Sequence, residues 1–468
     1  IAFFNSSCHI VFSLLWIGIG KTIMQHHSHP QATIFALATP PGISGVAVIR
    51  ISGPDAKRIY QSMIKAAPEP RLAQLVKLYA TDGHTVIDQA LSLYFPAPNS
   101  FTGEDVVELQ THGGRAVIQA VLSALAALPG YRLAAAGEFT RRAFANEKLD
   151  LTQVEALGDL LHAQTEAQRR QAMAQLSGVM GDQYRHWADG LTRILAHYEA
   201  YLDFPDEPIP ADIESGLQQR LAELQQAIAA HLADDRRGEM LREGLRIAII
   251  GPPNAGKSSL LNALAQRDAA IVSSTAGTTR DVISVDLDLG GYPITLYDTA
   301  GLRESADAIE IEGMRRTQLT AQQADLRILV FDATDPAATT DTLWQQYRIE
   351  PHLVVWNKAD LGERREARGE GILLSTKTGY NLEALLVVLS GKAKEMLGQS
   401  EGAVITRLRH REALRACLAA ITRSVVAALP ELRAEDLRLA RRELGRITGQ
   451  VDVEDLLDII FRDFCIGK

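Results

Sequence analysis

The sequence predicts a multidomain protein of α+β and α/β class, in which an α/β domain is inserted into a helical domain and a smaller α+β domain precedes both. Three observations carry this. Between residues 244 and 390, short β-branched runs alternate with helical spacing, while 148–243 and 391–468 on either side are helical in pattern. Residues 31–147 mix short strands with helices. Apolar residues make up 46%, enough for several cores, and the 468-residue length suits two or three domains. The formal charge of -9 excludes a generally basic nucleic-acid coat, though not a local basic patch. Cys8, Cys417 and Cys465 form no disulfide framework and no paired ligand spacing, which fits a reducing, cytoplasmic setting.

Residues 1–30 look foreign to the rest. "HIVFSLLWIGIG" is too short for a transmembrane helix, Lys21 follows it where a signal peptide needs its charge first, and Met24 reads as a natural start. The expectation is a non-native or disordered extension, with a membrane-associating arm or a packed segment as alternatives and no stable membrane insertion. In the α+β domain, "GVAVIRISG" and "DVVELQTHGG" read as strands, and "RAVIQAVLSALAALPG" as a helix stopped by Pro129 and Gly130. The stretch from Leu151 to Phe204 is longer than most globular helices and reads as two; "LQQRLAELQQAIAAHLADDRR" supplies another. "LRIAII", "PITLYD", "LRILVFD", "HLVVW" and "GILLS" read as strands of a parallel sheet buried on both faces. The final segment places Val453, Leu456, Leu457, Ile460, Phe461 and Phe464 on one helical stripe, with Asp452 as its cap.

The chemistry lies in the α/β domain. "GPPNAGKSS" follows a strand directly and fits G-x-x-x-x-G-K-[ST] at Gly251, Gly256, Lys257 and Ser258. Backbone N–H groups over Asn254, Ala255, Gly256 and Ser259 can wrap phosphates, Lys257 can reach the β and γ phosphates, and Ser258 offers a hydroxyl to magnesium. "YDTAG" places Asp298 at a strand end for a magnesium-bound water, followed by Thr299, Ala300 and Gly301, whose N–H can sense the γ phosphate. "WNKAD" selects the base. Asp360 can accept from both Watson–Crick donors of guanine, a pair adenine lacks, and an unmatched buried carboxylate costs on the order of kcal/mol. Asn357 can tie the loops, Lys358 can lie along the ring, and Ser375, Thr376 and Lys377 complete the base pocket. These motifs, in this order, predict a P-loop GTPase domain of Ras-like type.

"GPPNAGKSS", "AGTTRD", "DTAGLRE", "NKAD" and the terminal "FCIGK", with "IFALATPPGISGVAVIRISG", "PNSFTGEDVVELQTHGG" and "AGEFTRRAFANEKLDLTQVEALGDL" upstream, resemble the bacterial tRNA modification GTPase (MnmE/TrmE) family over about residues 31–468. Pro252 is a mild departure from its P-loop. The resemblance implies a tetrahydrofolate-binding-type fold for the α+β domain, with 5,10-methylenetetrahydrofolate or 5-formyltetrahydrofolate as one-carbon donor. It implies a homodimer that works with an FAD-containing MnmG (GidA) protein, in a heterotetrameric or larger complex. The product would be tRNA carrying a carboxymethylaminomethyl or aminomethyl group at C5 of the wobble uridine. A ribosome-assembly or RNA-binding GTPase is the alternative; it would be expected to carry a basic RNA-binding module.

Leu302 stands where many regulatory GTPases place a water-orienting glutamine, and it can neither donate nor accept. From the residues alone, Glu304, Asp307, Glu310 and Glu312 remain equal candidates to orient water, and Arg280 and Arg303 are candidate arginine fingers. The resemblance favours Glu310, and in place of an arginine it implies a potassium ion held by Asn254, Ser273, Thr275 and Thr278, with Thr279 joining Ser258 on magnesium. In the α+β domain, Glu104, Glu108 and His112 share a strand face, but neighbours lie roughly 13 Å apart, beyond mutual hydrogen bonding. Glu138, Arg141 and Arg142 can hold an anion or simply solvate a helix start. Cys465 is no prenylation site, because glycine and lysine end the tetrapeptide, and its helix holds no histidine or other cysteine to share a metal. A buried thiol and a reactive thiol both remain open. The resemblance implies the second, a catalytic role in the modification with the tail directed at the folate pocket across the dimer.

Overall fold

The computed structural model describes residues 32–203, 211–267, 284–298, 323–335, 352–362, 371–398 and 402–451, and in the tail Leu457, Ile460, Phe461, Phe464, Ile466 and Gly467. The chain forms two compact units. One holds the described residues before Asp150 together with those of the 454–468 tail; the other runs from Asp150 to Val453. The tail, read from sequence as part of the second helical stretch, therefore clusters with the amino-terminal unit. Among the described residues no helix is long and apolar enough to cross a membrane.

The amino-terminal unit is a six-stranded sheet in the order β3-β4-β5-β2-β1-β6. Its strands are β1 Thr33–Leu37, β2 Ser44–Ser52, β3 Gln74–Tyr79, β4 Val86–Phe95, β5 Val106–Gly113 and β6 Tyr131–Leu133. The two strands read from sequence are β2 and β5, and they pair antiparallel with Ile49 opposite Leu109 and Arg50 opposite Glu108. Period-2 alternation sends Ile49, Ile51, Val107 and Leu109 inward, against Val121 and Leu125 of helix α1 (Arg115–Ala126). A second helix, α2 (Glu138–Ala145), follows β6.

In the second unit the stretch expected as two helices is three: α3 Leu151–His162, α4 Glu166–Leu176 and α5 Val179–Asp203. Two local devices divide it. Thr165 and Gln168 form a reciprocal capping box that starts α4. Gly178 takes a φ of 93°, which ends that helix. Helices α6 (Ala211–Leu232) and α7 (Arg237–Glu243) lead into the α/β domain. Its sheet runs β12-β11-β10-β7-β9-β8, from β7 Leu245–Ile250, β8 Ser284–Leu289, β9 Tyr292–Asp298, β10 Leu326–Asp332, β11 His352–Asn357 and β12 Ile372–Leu373. All neighbours are parallel except the β8–β9 hairpin. Ile247, Ile249, Ile328 and Val330 face one core, and Ala248, Ile250, Leu329 and Phe331 the other, which is why these strands read as continuous apolar runs. Helices α8 (Lys257–Ala265) and α9 (Leu382–Leu397) cover the first core, and α10 (Leu408–Val426) and α11 (Pro430–Thr448) follow.

Domain insertion is visible in the helical core, where Tyr184, Trp187, Leu191 and Leu221 pack with Leu414, Cys417, Leu437 and Leu444 from beyond the α/β domain. Charge joins the same two stretches. Glu155 of α3 is 3% exposed and takes both arms of Arg409, at 2.6 and 2.7 Å, and Nε2 of His410 at 2.9 Å, with Arg407 at 3.3 Å. Burial alone would raise the Glu155 pKa, but Arg409, His410 and Arg407 outweigh it and hold the carboxyl far below the usual range. Burial, with Arg409 beside it, pushes His410 down, so His410 is neutral and its Nε2–H donates to Glu155.

Glu155→Gln leaves the half-buried Arg409 guanidinium without its anion and Arg407 with Asp159 alone, and the urea-unfolding free energy of the helical transition should fall by about 3–5 kcal/mol. The wild type should also lose stability in acid. His410, depressed in the fold, takes up a proton more readily when unfolded, so the loss begins below about pH 6.5; protonation of Glu155 adds to it below about pH 4. Urea titrations at stepped pH check both.

Candidate functional site

The site is built where β7, β9, β10, β11 and the segment after β12 end along one edge of the parallel sheet. The loop after β7 turns at Gly251, φ 148°, where an added Cβ would lie 2.1 Å from the carbonyl oxygen of Val330. Asn254 and Gly256 take φ of 62° and 97°, which aims successive backbone groups inward ahead of α8. The Lys257 ammonium bends back and donates to the carbonyls of Gly251 and Pro252 at 3.0 and 2.8 Å. Ser258 Oγ donates to Asp298 Oδ2 at 2.5 Å, and Asp298 is fully buried at the end of β9. A hydroxyl and a carboxylate set face to face suit a hard, oxygen-preferring cation such as magnesium. Among the described residues no group of three or more His, Cys, Asp or Glu can hold a metal.

Asn357, 1% exposed at the end of β11, donates from Nδ2 to the Ala255 carbonyl at 3.0 Å and accepts the Thr376 N–H at 3.1 Å. It thereby joins the phosphate loop, its own strand and the loop after β12. Ser375 Oγ donates to Asp360 Oδ1 at 2.6 Å, and this bond holds the exposed Asp360 carboxyl below the usual range. The carboxylate is thus ionised and aimed, as an acceptor for two donors must be. Lys358 Nζ contacts Asp332 Oδ2 at 2.7 Å, which fixes the stem of that lysine. Asp332 ends β10 opposite Asn357 and was not found by sequence reading; its signal, an aspartate closing the next parallel strand, is weak by itself. Lys377 is exposed beside Asp360, and Ser259 lies on the first turn of α8.

The structure thus assembles Asn254, Ala255, Gly256, Lys257, Ser258, Asp298, Asn357, Lys358, Asp360, Ser375 and Thr376 in one place. Ser273, Thr275, Thr278, Thr279, Thr299, Ala300, Gly301, Glu310 and Cys465 lie outside the described residues.

In the amino-terminal unit each polar residue singled out has a local partner. Glu108 pairs with Arg50 at 2.8 Å, and Asp88 accepts from the His112 backbone and ring. Glu104 takes Ser52 Oγ at 2.7 Å and Arg142 at 3.0 Å; Arg142 also reaches Glu138, which is gripped by Arg132. The tail sits beside this network. Phe461 and Phe464 are buried, Ile466 bridges to Ala136, and Arg141 lies over the Phe461 ring. Gly467 takes φ 103°, and an added Cβ would stand 2.3 Å from the Leu37 carbonyl oxygen, so only glycine fits this position. The described tail residues thus seat on the amino-terminal unit.

A glycine-rich loop between strand and helix, a Ser–Asp pair at the phosphate end and an aimed carboxylate at the base end define a P-loop guanine-nucleotide domain. The family comparisons extend this to the whole chain. Residues 33–148 match the family described as "GTP-binding protein TrmE N-terminus", and 151–465 the family described as "MnmE helical domain". The chain is 53% identical over 443 residues to a tRNA modification GTPase MnmE of Parvibaculum lavamentivorans, covering 93% of this chain and 100% of that protein. It is 50% identical to that of Rhodospirillum rubrum, over 93% and 99% of the two chains, and 47% identical to that of Granulibacter bethesdensis, over 94% and 100%. The chain belongs to the MnmE family of tRNA modification GTPases, and it is a GTP-binding hydrolase. That membership sets aside the ribosome-assembly alternative.

Asp360→Asn replaces one of the two acceptors with a donor. GTP affinity should fall by about 10–100-fold, the cost of a mismatched polar pair. Xanthine nucleotide, which carries an acceptor in place of the guanine N2 donor, should gain. Competition titrations with both nucleotides check this, and a parallel loss of both would count against the base-reading role.

Proposed function

We propose that this protein is a potassium-stimulated GTPase whose cycle drives modification of C5 of the wobble uridine of certain tRNAs, together with an FAD-containing MnmG-type partner. Membership of the MnmE family along the whole length of its relatives carries this reading. The likeness also supports a homodimer and a tetrahydrofolate one-carbon donor, bound in the amino-terminal unit as a whole. The product is the carboxymethylaminomethyl or aminomethyl form.

The loop from Asn254 to Ser259 grips the phosphates through backbone N–H groups and Lys257, which leaves the Gly251 and Pro252 carbonyls for the β and γ oxygens. Ser258 and Thr279 would hold magnesium, with Asp298 supporting the ion from beside Ser258; magnesium would supply charge compensation on the phosphates. Asn254, Ser273, Thr275 and Thr278 hold potassium, in place of an arginine finger. Asn254 reaches out from a left-handed turn at the phosphate end, which suits an amide oxygen offered to a cation. Thr299, Ala300 and Gly301 follow Asp298 and sense the γ phosphate. Glu310 orients the attacking water, since Leu302 cannot. Asp360, Ser375, Thr376, Lys377, Asn357 and Lys358 read and cover guanine. Cys465, between two seated tail residues, Phe464 and Ile466, serves the modification chemistry and takes no part in GTP cleavage.

Replacing sodium by potassium should raise kcat for GTP hydrolysis, and Asn254→Ala should abolish most of that difference. Glu310→Ala should lower kcat by about 10²-fold or more with GTP affinity retained, the mark of an interaction made in the transition state. Equal rates in the two salts, or affinity lost in step with rate, would refute these assignments.

Cells lacking the gene should lose the C5-modified wobble nucleosides by mass spectrometry, and Cys465→Ser should reproduce that loss while GTP hydrolysis stays normal. Full modification in the serine strain would make the thiol structural; normal modification in the deletion strain would refute the function itself.

A further inference from the structure

Helix α4 buries amides where its long neighbours bury hydrocarbon. Thr165 at the cap and Gln175 are buried, Gln168 and Gln171 are half-buried, and Ala167, Ala172 and Leu176 are its only inward hydrocarbon. Residues 168, 171 and 175 follow helical i, i+3, i+7 spacing and so share one face. Among the described residues, none of α4 belongs to the helical core or to either core of the α/β domain. The helix lies between these cores as a polar layer.

Each glutamine reaches a connection of the inserted domain. Gln168 Nε2 donates to the Arg242 carbonyl at 3.1 Å, and Gln171 Nε2 to the Gly238 carbonyl at 3.0 Å; both acceptors are in α7, which leads into β7. Gln175, 4% exposed, donates to Thr406 Oγ1 at 2.9 Å and to the Val404 carbonyl at 3.4 Å, in the segment that returns from α9 to α10. The two connections also touch each other, because a Cβ on Gly238 would lie 2.3 Å from the Ile405 carbonyl oxygen. At the opposite end of the helix, the Ala167 N–H donates to the carbonyl of Gly291 at 3.0 Å, in the β8–β9 turn. One short helix therefore holds the incoming connection, the outgoing connection and a hairpin of the same domain.

The chemistry of that face sets its mechanical character. An apolar seam loses free energy with every gap that opens in it. Amide-to-carbonyl bonds are directional but contribute modestly net, because water can replace either partner. A seam of this kind fixes orientation and can be re-paired without opening a core, while the charged pairs Glu239–Arg411 at 3.0 Å and Arg242–Asp159 at 2.9 Å anchor the body of α7 to the frame.

We propose that the Gln168–Gln171–Gln175 face of α4 is the joint that sets the GTPase domain on the helical frame and passes its nucleotide state to the remote modification site. The three are positioning residues, and none belongs to the nucleotide site. The proposal rests on the reading that GTP hydrolysis is coupled to tRNA modification.

The test uses the full-length protein carrying Gln171→Met with Gln175→Met, which keep the side-chain length and remove the donors. Hydrogen exchange of the α7 amides should quicken by about tenfold, the loss of roughly one hydrogen bond of protection, while exchange in α3 and α5 stays as in the wild type. GTP hydrolysis should change by less than about twofold, and modified uridine formed per GTP hydrolysed should fall by about fivefold or more, within the usual range of coupling between sites. Gln171→Met alone, at a half-buried position, gives the same pattern more weakly if the double variant is poorly folded, and Gln171→Lys, which keeps a donor within reach of the carbonyl, restores the yield. Unchanged exchange in α7, or a normal yield per GTP with the donors gone, would overturn the joint. A wild type that yields no modified uridine would refute the functional reading instead, and the exchange result would still decide whether these glutamines hold the connections.

Discussion

The carboxamide of Asn357 is the group on which the nucleotide site depends. Its two ends satisfy the Ala255 carbonyl and the Thr376 N–H, so three separate loops are held by one planar side chain. The arrangement requires that β7, β10 and β11 run parallel and finish at a common edge. It also requires Gly256, where an added Cβ would come within 2.1 Å of Asn357 Nδ2. Sheet topology brings the loops together, a missing side chain lets them touch, and a buried amide sets their spacing. The phosphate end and the base end are then held at a fixed separation, as a rigid ligand demands.

Much of this was legible because phosphate and base recognition use contiguous residues. A loop that wraps an anion needs its glycines, lysine and hydroxyl within one turn, so Gly251 to Ser258 reads directly from the chain. Asp298, Asn357 and Asp360 were found because each sits at the end of an apolar run. What escaped was long-range pairing. Nothing near Asp332 announces Lys358, 26 positions on, and Glu155 and His410 are 255 positions apart. The division of the long helical stretch was written locally, in a Thr165–Gln168 box and Gly178, but a continuous polar and apolar mixture hid it. The inward glutamines of α4 were invisible for a related reason: an amide reads as solvated until the backbone it satisfies is known.

The unit from Asp150 to Val453 uses two kinds of polar contact for two purposes. Around Glu155, charged groups are out of water and have no cheap alternative to one another, so the two halves of the helical frame are fixed together. Around α4 the groups are neutral and exchangeable. The incoming helix α7 takes part in both: its glutamine-bound carbonyls are exchangeable, while Glu239, 1% exposed, pairs with Arg411 of α10 at 3.0 Å and Arg242 pairs with Asp159 of α3 at 2.9 Å.

The seating of Gly467 against Leu37 has a consequence for the order of assembly. The amino-terminal unit is made first on the ribosome, yet part of its packing, Phe461, Phe464 and the Ile466–Ala136 bridge, is contributed from more than 300 residues downstream. Synthesis must run through the inserted domain and the helical frame before that surface is covered. The inserted domain closes its own sheet from residues 245–373 and can fold while the chain is still being extended, whereas the amino-terminal unit waits with an apolar seat open. Its earliest strands are thus among the last to be fully buried, and nascent chains stalled before residue 461 should be the forms most dependent on chaperones.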